Sequence, residues 1–243
     1  MCIRDRSSVL CATFMRYGIL FSVVMTILIC TLLGSVSGFL VSKVKMTPFI
    51  VTLGMLLMAR GLAMVIAKGE VVYGVSESFY FIGQGNFIGI PIPAFIMIFV
   101  VLIVLFFLNN TNWGRYIYAV GGNEKAARLF GINVENTKLL VYLLSGFFAG
   151  LAGLVYTSRL TAGYCEGGVG YEFDAISAVV IGGVNLFGGE GSLVKVILGV
   201  FILTMINNFM NLISISPYIQ EGMKGTIIII AVYLNLRGRR EDK

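Results

Sequence analysis

The feature that most constrains this chain is a recurrence of long apolar runs, at 18–40, 46–67, 93–108, 137–157, 192–212 and 219–236. Each is near the roughly 20 residues that a helix needs to cross the hydrocarbon core of a bilayer. A seventh run, 173–186, is shorter and interrupted by glycine. Backbone groups at membrane depth find no water, so runs of this kind fold as helices that satisfy their own hydrogen bonds. The predicted class is all-α, a polytopic transmembrane helical bundle of about seven spans with one of them short or broken. The prolines support the segmentation independently, because Pro48, Pro91, Pro93 and Pro217 all fall at the edges of runs, where a missing N–H costs least. Small residues recur four apart at Gly34/Gly38, Ala59/Ala63/Ala67 and Gly146/Gly150, a spacing that lets helix backbones approach closely in lipid.

Composition then narrows the chemistry. The chain has no histidine, and its only aspartates are Asp5, Asp174 and Asp242. Histidine-based catalysis is excluded, and an intramembrane aspartyl dyad cannot be assembled from one membrane-proximal aspartate. The four cysteines, Cys2, Cys11, Cys30 and Cys165, form no CxxC pair, which argues against a metal site or a disulfide framework. No cofactor is expected in this chain, and no enzyme activity.

The net charge of +6 reads first as a topology signal and not as a nucleic-acid surface. With the basic tail Arg237, Arg239, Arg240 and Lys243 inside, seven crossings also place inside Lys43, Lys45, Lys195 and the segment carrying Arg115, Lys125, Arg128 and Lys138. The opposite loops then keep mainly Lys68 and Arg159. A cytoplasmic C-terminus follows, provided that 173–191 crosses the membrane. The first residues stand apart: MCIRD resembles a translated sequencing-library adaptor. Residues 1–6 are accordingly expected to be an artefact, with a single transmembrane domain over 7–243 that lacks its first helices.

The longest inner segment, 109–136, holds what reads as a short capped helix. Asn123 suits the N-cap, Glu124 the positive end, Arg128 the negative end and Gly131 the left-handed position that follows,. Ala126 and Ala127 would leave a slim surface that could enter a partner's groove. An amphipathic helix lying in the membrane interface without a partner fits these residues equally well.

NEKAARLFGI, residues 123–132, resembles the EAA-like cytoplasmic loop of ABC-importer permeases, in which an Ala-Ala pair precedes a Gly after three intervening residues. Lys125 stands where the broader pattern has Glu, with Glu124 one place earlier, and this form agrees with ribose- and xylose-type monosaccharide permeases. The resemblance continues through TPFIVTLGMLLMARG, GYEFDAISAVVIGGVNLFGGEGS and NNFMNLISISPYIQEGMKG, covering about residues 34–236. It implies a permease subunit of a monosaccharide importer in the plasma (inner) membrane of a prokaryote. It further implies a partner ABC ATPase that binds ATP-Mg and receives Asn123, Glu124, Ala126, Ala127, Arg128 and Gly131. An extracytoplasmic sugar-binding protein and a second permease subunit, as a homodimer, complete the implied assembly.

Two further groups of residues concern the pathway. The Gly-rich stretch 167–192 lacks GxxxxGK[ST], so it is not a nucleotide loop. A short helix from about Tyr171–Asp174, broken at Gly182-Gly183 and Gly188-Gly189, suits backbone that lines a cavity; a plain short helix and turn is the alternative. Ionisable and amide groups at depth are costly and so draw functional interest. Arg60 either snorkels or pairs with Glu172 or Asp174. Asn207 and Asn211 share a helix face, with Asn208 beside them, and serve either as sugar-binding amides or as glue between helices. Glu221, Lys224, Thr47 and Thr52 are weaker candidates. A passive channel, and a permease of the same superfamily for an amino acid or nucleoside, remain as rival readings.

Overall fold

The computed structural model describes residues 3–73, 76–87, 89–165, 167–168, 170–185, 188–227 and 229. Its helices are α1 (Ile3–Phe14), α2 (Ile19–Ser42), α3 (Pro48–Ala67), α4 (Glu77–Gln84), α5 (Ile92–Asn110), α6 (Asn112–Gly122), α7 (Glu124–Leu129), α8 (Val134–Leu160), α9 (Tyr171–Ile181) and α10 (Leu193–Leu212). A further helical run covers 217–227. A two-residue hairpin, β1 (Asn86–Phe87) with β2 (Ile90–Pro91), leads into α5. Five of these helices, α2, α3, α5, α8 and α10, are long and apolar enough to cross a membrane.

The seven-span expectation is therefore met only in part. The 173–186 run forms the 11-residue α9, which at 1.5 Å per residue covers about 16 Å, roughly half of the hydrocarbon core. The last run, 219–236, lies partly outside the described residues. Three of the described helices went unread in the sequence, among them the eight-residue α4; the other two have identifiable reasons. The first, α1, has too short an apolar stretch to register as a span. The second, α6, occupies much of what was read as loop in 109–136, because Asn112–Gly122 mixes aromatic, glycine and basic residues.

The chain divides into two compact units, residues 1–115 with 133–169 and residues 116–132 with 170–243, the division falling within α6. In the first unit, α2 runs along α8. The glycines foreseen as contact points face one another there. A Cβ on Gly34 would lie 2.6 Å from the Tyr142 carbonyl oxygen and 3.1 Å from Gly146 Cα, and one on Gly146 would lie 2.5 Å from the Cys30 carbonyl oxygen. Such approach replaces the hydrophobic drive, which lipid removes, with backbone-to-backbone dispersion. On α3, Ala63 and Ala67 are buried against Val9 of α1. Cys11, Ala12, Met15, Phe79 and Leu154 form the apolar centre of this unit.

Helix α2 is built inside out by the standards of a water-soluble protein. It buries Ser22, Thr26, Cys30, Gly34, Ser37 and Gly38 while exposing Leu20, Val24, Leu28, Leu32, Val36 and Phe39. The buried hydroxyls need partners inside, and Ser22 Oγ donates to the Cys11 carbonyl at 2.7 Å. No residue of α5 is buried. Water would penalise so much exposed aliphatic surface, whereas acyl chains do not. The molecule is a helical membrane protein.

In the second unit, α9 packs on α10. Glycine again sets the separation: a Cβ on Gly182 would lie 2.7 Å from Val196 Cα, and one on Gly199 would collide with the Ala178 carbonyl oxygen.

Candidate coupling helix and polar seam

The second unit carries most of the candidate residues. Helix α7 is set by its caps. Asn123 Oδ1 accepts from the backbone N–H of Lys125 at 3.0 Å and of Ala126 at 3.1 Å, so two of the helix's orphan donors are satisfied by one side chain. Glu124 lies in the first turn and Arg128 in the last, each with the favourable sign for the helix dipole. Gly131 takes φ +78°. The Ile132 N–H then reaches back to the Ala127 carbonyl at 3.0 Å and the Gly131 N–H to Arg128 at 3.0 Å, a left-handed closure that glycine allows at little cost.

The surface that α7 offers differs from the expectation. Ala127 is only 3% exposed and belongs to the interior, whereas Leu129 and Phe130 are 89% and 84% exposed. The small alanine faces inward, and the projecting features are a large apolar pair flanked by exposed Glu124, Lys125 and Arg128. A helix turns about 100° per residue, so Leu129, two beyond Ala127, points away from it, whereas Phe130 projects because it lies past the helix end, at the C-cap. Once Ala127 is known to be buried, that rotation identifies Leu129, but nothing in the sequence says which side of α7 faces inward.

Four of the polar candidates, Asp174, Asn207, Asn211 and Lys224, lie in the same unit. Lys224 Nζ lies 2.8 Å from Asp174 Oδ1 and donates to Oδ2 at 3.1 Å. Gln220 Nε2 donates to Asn211 Oδ1 at 2.9 Å and to the Ile215 carbonyl at 2.9 Å. Gln220 and Lys224 are four apart on the 217–227 run and so share a face. That face reaches α10 through Asn211 and α9 through Asp174. Asn207, one turn before Asn211, has its Oδ1 buried with no protein hydrogen bond. The result is a polar seam of Asp174, Lys224, Gln220, Asn211 and Asn207 among three helical segments.

The structure thus answers the alternatives unevenly. Asp174 is held by Lys224, which the sequence ranked behind Arg60 as a pathway residue. Arg60 sits half-buried on α3 in the first unit. Asn208 is exposed on α10, as is Glu221 on the last run. Thr47 and Thr52 lie at the start of α3, also in the first unit and exposed, with Thr52 Oγ1 bonded back to the Pro48 carbonyl at 3.0 Å. Gln220, absent from the sequence candidates, makes the central bonds of the seam.

Helices of spanning length that expose apolar faces, a polar seam and a capped loop helix together define a polytopic membrane protein of transport type. The chain belongs to the family described as branched-chain amino acid transport system/permease component, which matches residues 7–232. It is similar to the ribose import permease protein of Haemophilus influenzae, 45% identical over 210 residues, covering 85% of this chain and 65% of that one. The ribose import permease protein of Bacillus subtilis is 43% identical over 82% of this chain and 62% of its own length. The L-arabinose transport system permease protein of Escherichia coli K12 is 41% identical over 81% and 60%. The chain therefore spans somewhat less than two thirds of the length of these relatives. No solved structure matches it significantly.

Proposed function

We propose that this chain is the membrane-spanning subunit of an ATP-driven importer that carries a monosaccharide of the ribose type. The observation that carries this reading is the doubly capped α7, with its projecting Leu129 and Phe130, in a chain 45% identical to a ribose import permease. The family description names amino-acid permeases, but sugar permeases stand at 40–45% identity along more than 80% of the chain, which favours a sugar. A separate ABC ATPase binds ATP-Mg and receives Asn123 to Gly131, contributing the energy for which this chain has no motif. An extracytoplasmic binding protein delivers the sugar, and a second copy of the permease completes the pathway in the inner membrane.

On this reading the α9 helix, with the glycine-rich turn behind it, is the broken span. The 219–236 run is the last crossing, and the C-terminus is cytoplasmic, in keeping with its Arg and Lys residues. The seam faces the solute. Its two charges neutralise each other, which leaves Asn207, Asn211 and Gln220 as uncharged donors and acceptors suited to sugar hydroxyls. Arg60 and Asn208 are assigned to the same pathway.

Deletion of 123–131 tests the proposal: insertion should persist while sugar-stimulated ATP hydrolysis disappears, and unimpaired uptake would refute the coupling role. Replacing Leu129 and Phe130 together by Ala should give the same loss with α7 intact, measured as ATPase no longer co-purifying with the permease.

A further inference from the structure

The peptide that leads into α7 makes a second contact that capping does not require. Gly121 and Gly122 end α6 and immediately precede Asn123. Their backbone rests directly on Gly188 and Gly189, in the turn between α9 and α10. A Cβ on Gly121 would lie 2.5 Å from the Gly189 nitrogen, one on Gly188 would lie 2.8 Å from the Gly121 carbonyl oxygen, and one on Gly189 would lie 2.5 Å from Gly122 Cα. Real Cβ atoms do not come so close to backbone, so three of the four positions admit no side chain. Gly188 and Gly189 have φ +94° and +82°, which turns the chain so that bare backbone faces α6. Tyr118, one turn earlier on α6, donates its hydroxyl to the Gly191 carbonyl at 3.3 Å. The turn is braced internally, with the Asn185 N–H bonded to the Glu190 carbonyl at 3.0 Å and the Gly188 N–H to Asn185 at 3.0 Å.

We propose that this glycine clasp is a rigid joint that transmits displacement of α7 to the α9–α10 hairpin, and through it to the Asp174–Lys224 and Asn211–Gln220 seam. The inference rests on the reading of α7 as the ATPase-docking helix. The physical argument is continuity without slack. Backbone packed on backbone has no side-chain rotamers to absorb a push, and close-packed contacts shift between discrete arrangements and do not deform gradually. Beyond the clasp, Gly182 on Val196 and Gly199 on Ala178 make the hairpin equally incompressible. At its far end, the ion pair and the Gln220 amide tie both hairpin helices to the 217–227 run. One uninterrupted path therefore runs from α7 to the seam inside a single compact unit.

The experiment uses the complete importer with its ATPase in proteoliposomes, comparing wild type with Gly121→Ala and Gly189→Ala. Each added methyl wedges the joint without touching the exposed face of α7. The ATPase should still co-purify and hydrolyse ATP, while sugar moved per ATP falls about tenfold, within the range by which residues between two sites modulate their coupling. Unchanged sugar per ATP overturns the proposal, and so does loss of ATPase binding, which would make the clasp a mere seat for α7. Spin labels on Ala119→Cys and Glu190→Cys, both exposed and outside the α7 docking segment, cover the case in which the alanine variants misfold. Their separation should be the same in nucleotide-free and ATP-trapped states, and a change of more than about 2 Å, beyond ordinary side-chain adjustment, means that the joint slips. If wild type itself shows no sugar-dependent hydrolysis, the importer reading fails; if wild type couples while the label distance changes, only the joint fails.

Discussion

At the scale of single residues, the most exacting element is the Asp174–Lys224 pair. Its side chains are 21% and 23% exposed, surrounded by helices whose outer faces suit lipid. Removing one partner of a largely desolvated pair leaves the other charge uncompensated, a loss of about 3–5 kcal/mol. Lys224→Met and Asp174→Asn should therefore each lower the thermal stability of the purified protein. The exchanged double variant Asp174→Lys/Lys224→Asp should recover much of the loss, since the attraction survives reversal. Failure of the exchange to recover stability, measured by unfolding in detergent, would mean that the surroundings and not the pair dictate which sign sits where. The same residues mark a limit on reading sequence. Asn207 and Asn211 announce a shared helix face by their spacing alone, but nothing local joins Asn211 to Gln220 or Asp174 to Lys224. Those partnerships exist only after three segments pack.

At the scale of elements, what was legible is what is decided locally. The caps of α7 depend on a few consecutive residues, so Asn123, Glu124, Arg128 and Gly131 could be assigned before any packing was known. The end of α9 at Gly182 was equally accessible, because the glycines there break the run wherever it docks. The orientation of α7 was not, since burial of Ala127 is a tertiary fact, and the expected slim surface was for that reason read on the wrong side. Helix α6 was hidden because its residues carry neither a long apolar run nor a clear cap. The α2–α8 contact lies between, foreseen as close packing but without its partners. Gly34→Leu or Gly146→Leu should separate these helices, since overpacking a tight contact costs about 1–3 kcal/mol and here meets backbone directly. The expected outcome is loss of the folded-protein peak in size-exclusion chromatography, whereas Leu32→Phe on the exposed face of α2 should leave that peak unchanged.

At the scale of the whole molecule, the two compact units differ in what each contains. The first is assembled from long apolar helices and small-residue contacts, while the second gathers α7, the clasp and the polar seam. Composition alone anticipated a membrane protein without metal or histidine chemistry, and the five long helices agree with the first part of that expectation. The division of labour between the units was not legible, because the second draws on two stretches of chain separated by α8.

The inside-out design of α2 reverses an everyday rule of protein evolution. In a water-soluble protein, large aliphatic residues are the ones that resist change. Here Leu20, Leu28 and Leu32 face outward, where acyl chains accept any oily shape, whereas Ser22 and Gly34 meet a neighbouring backbone that accepts none. A saturation scan of α2 scored by uptake should find intolerance concentrated at its smallest side chains, with isoleucine, valine and phenylalanine interchangeable at its largest. Along α2 the informative positions are those with the fewest atoms, and which oily side chain stands on the outer face is the property that can drift.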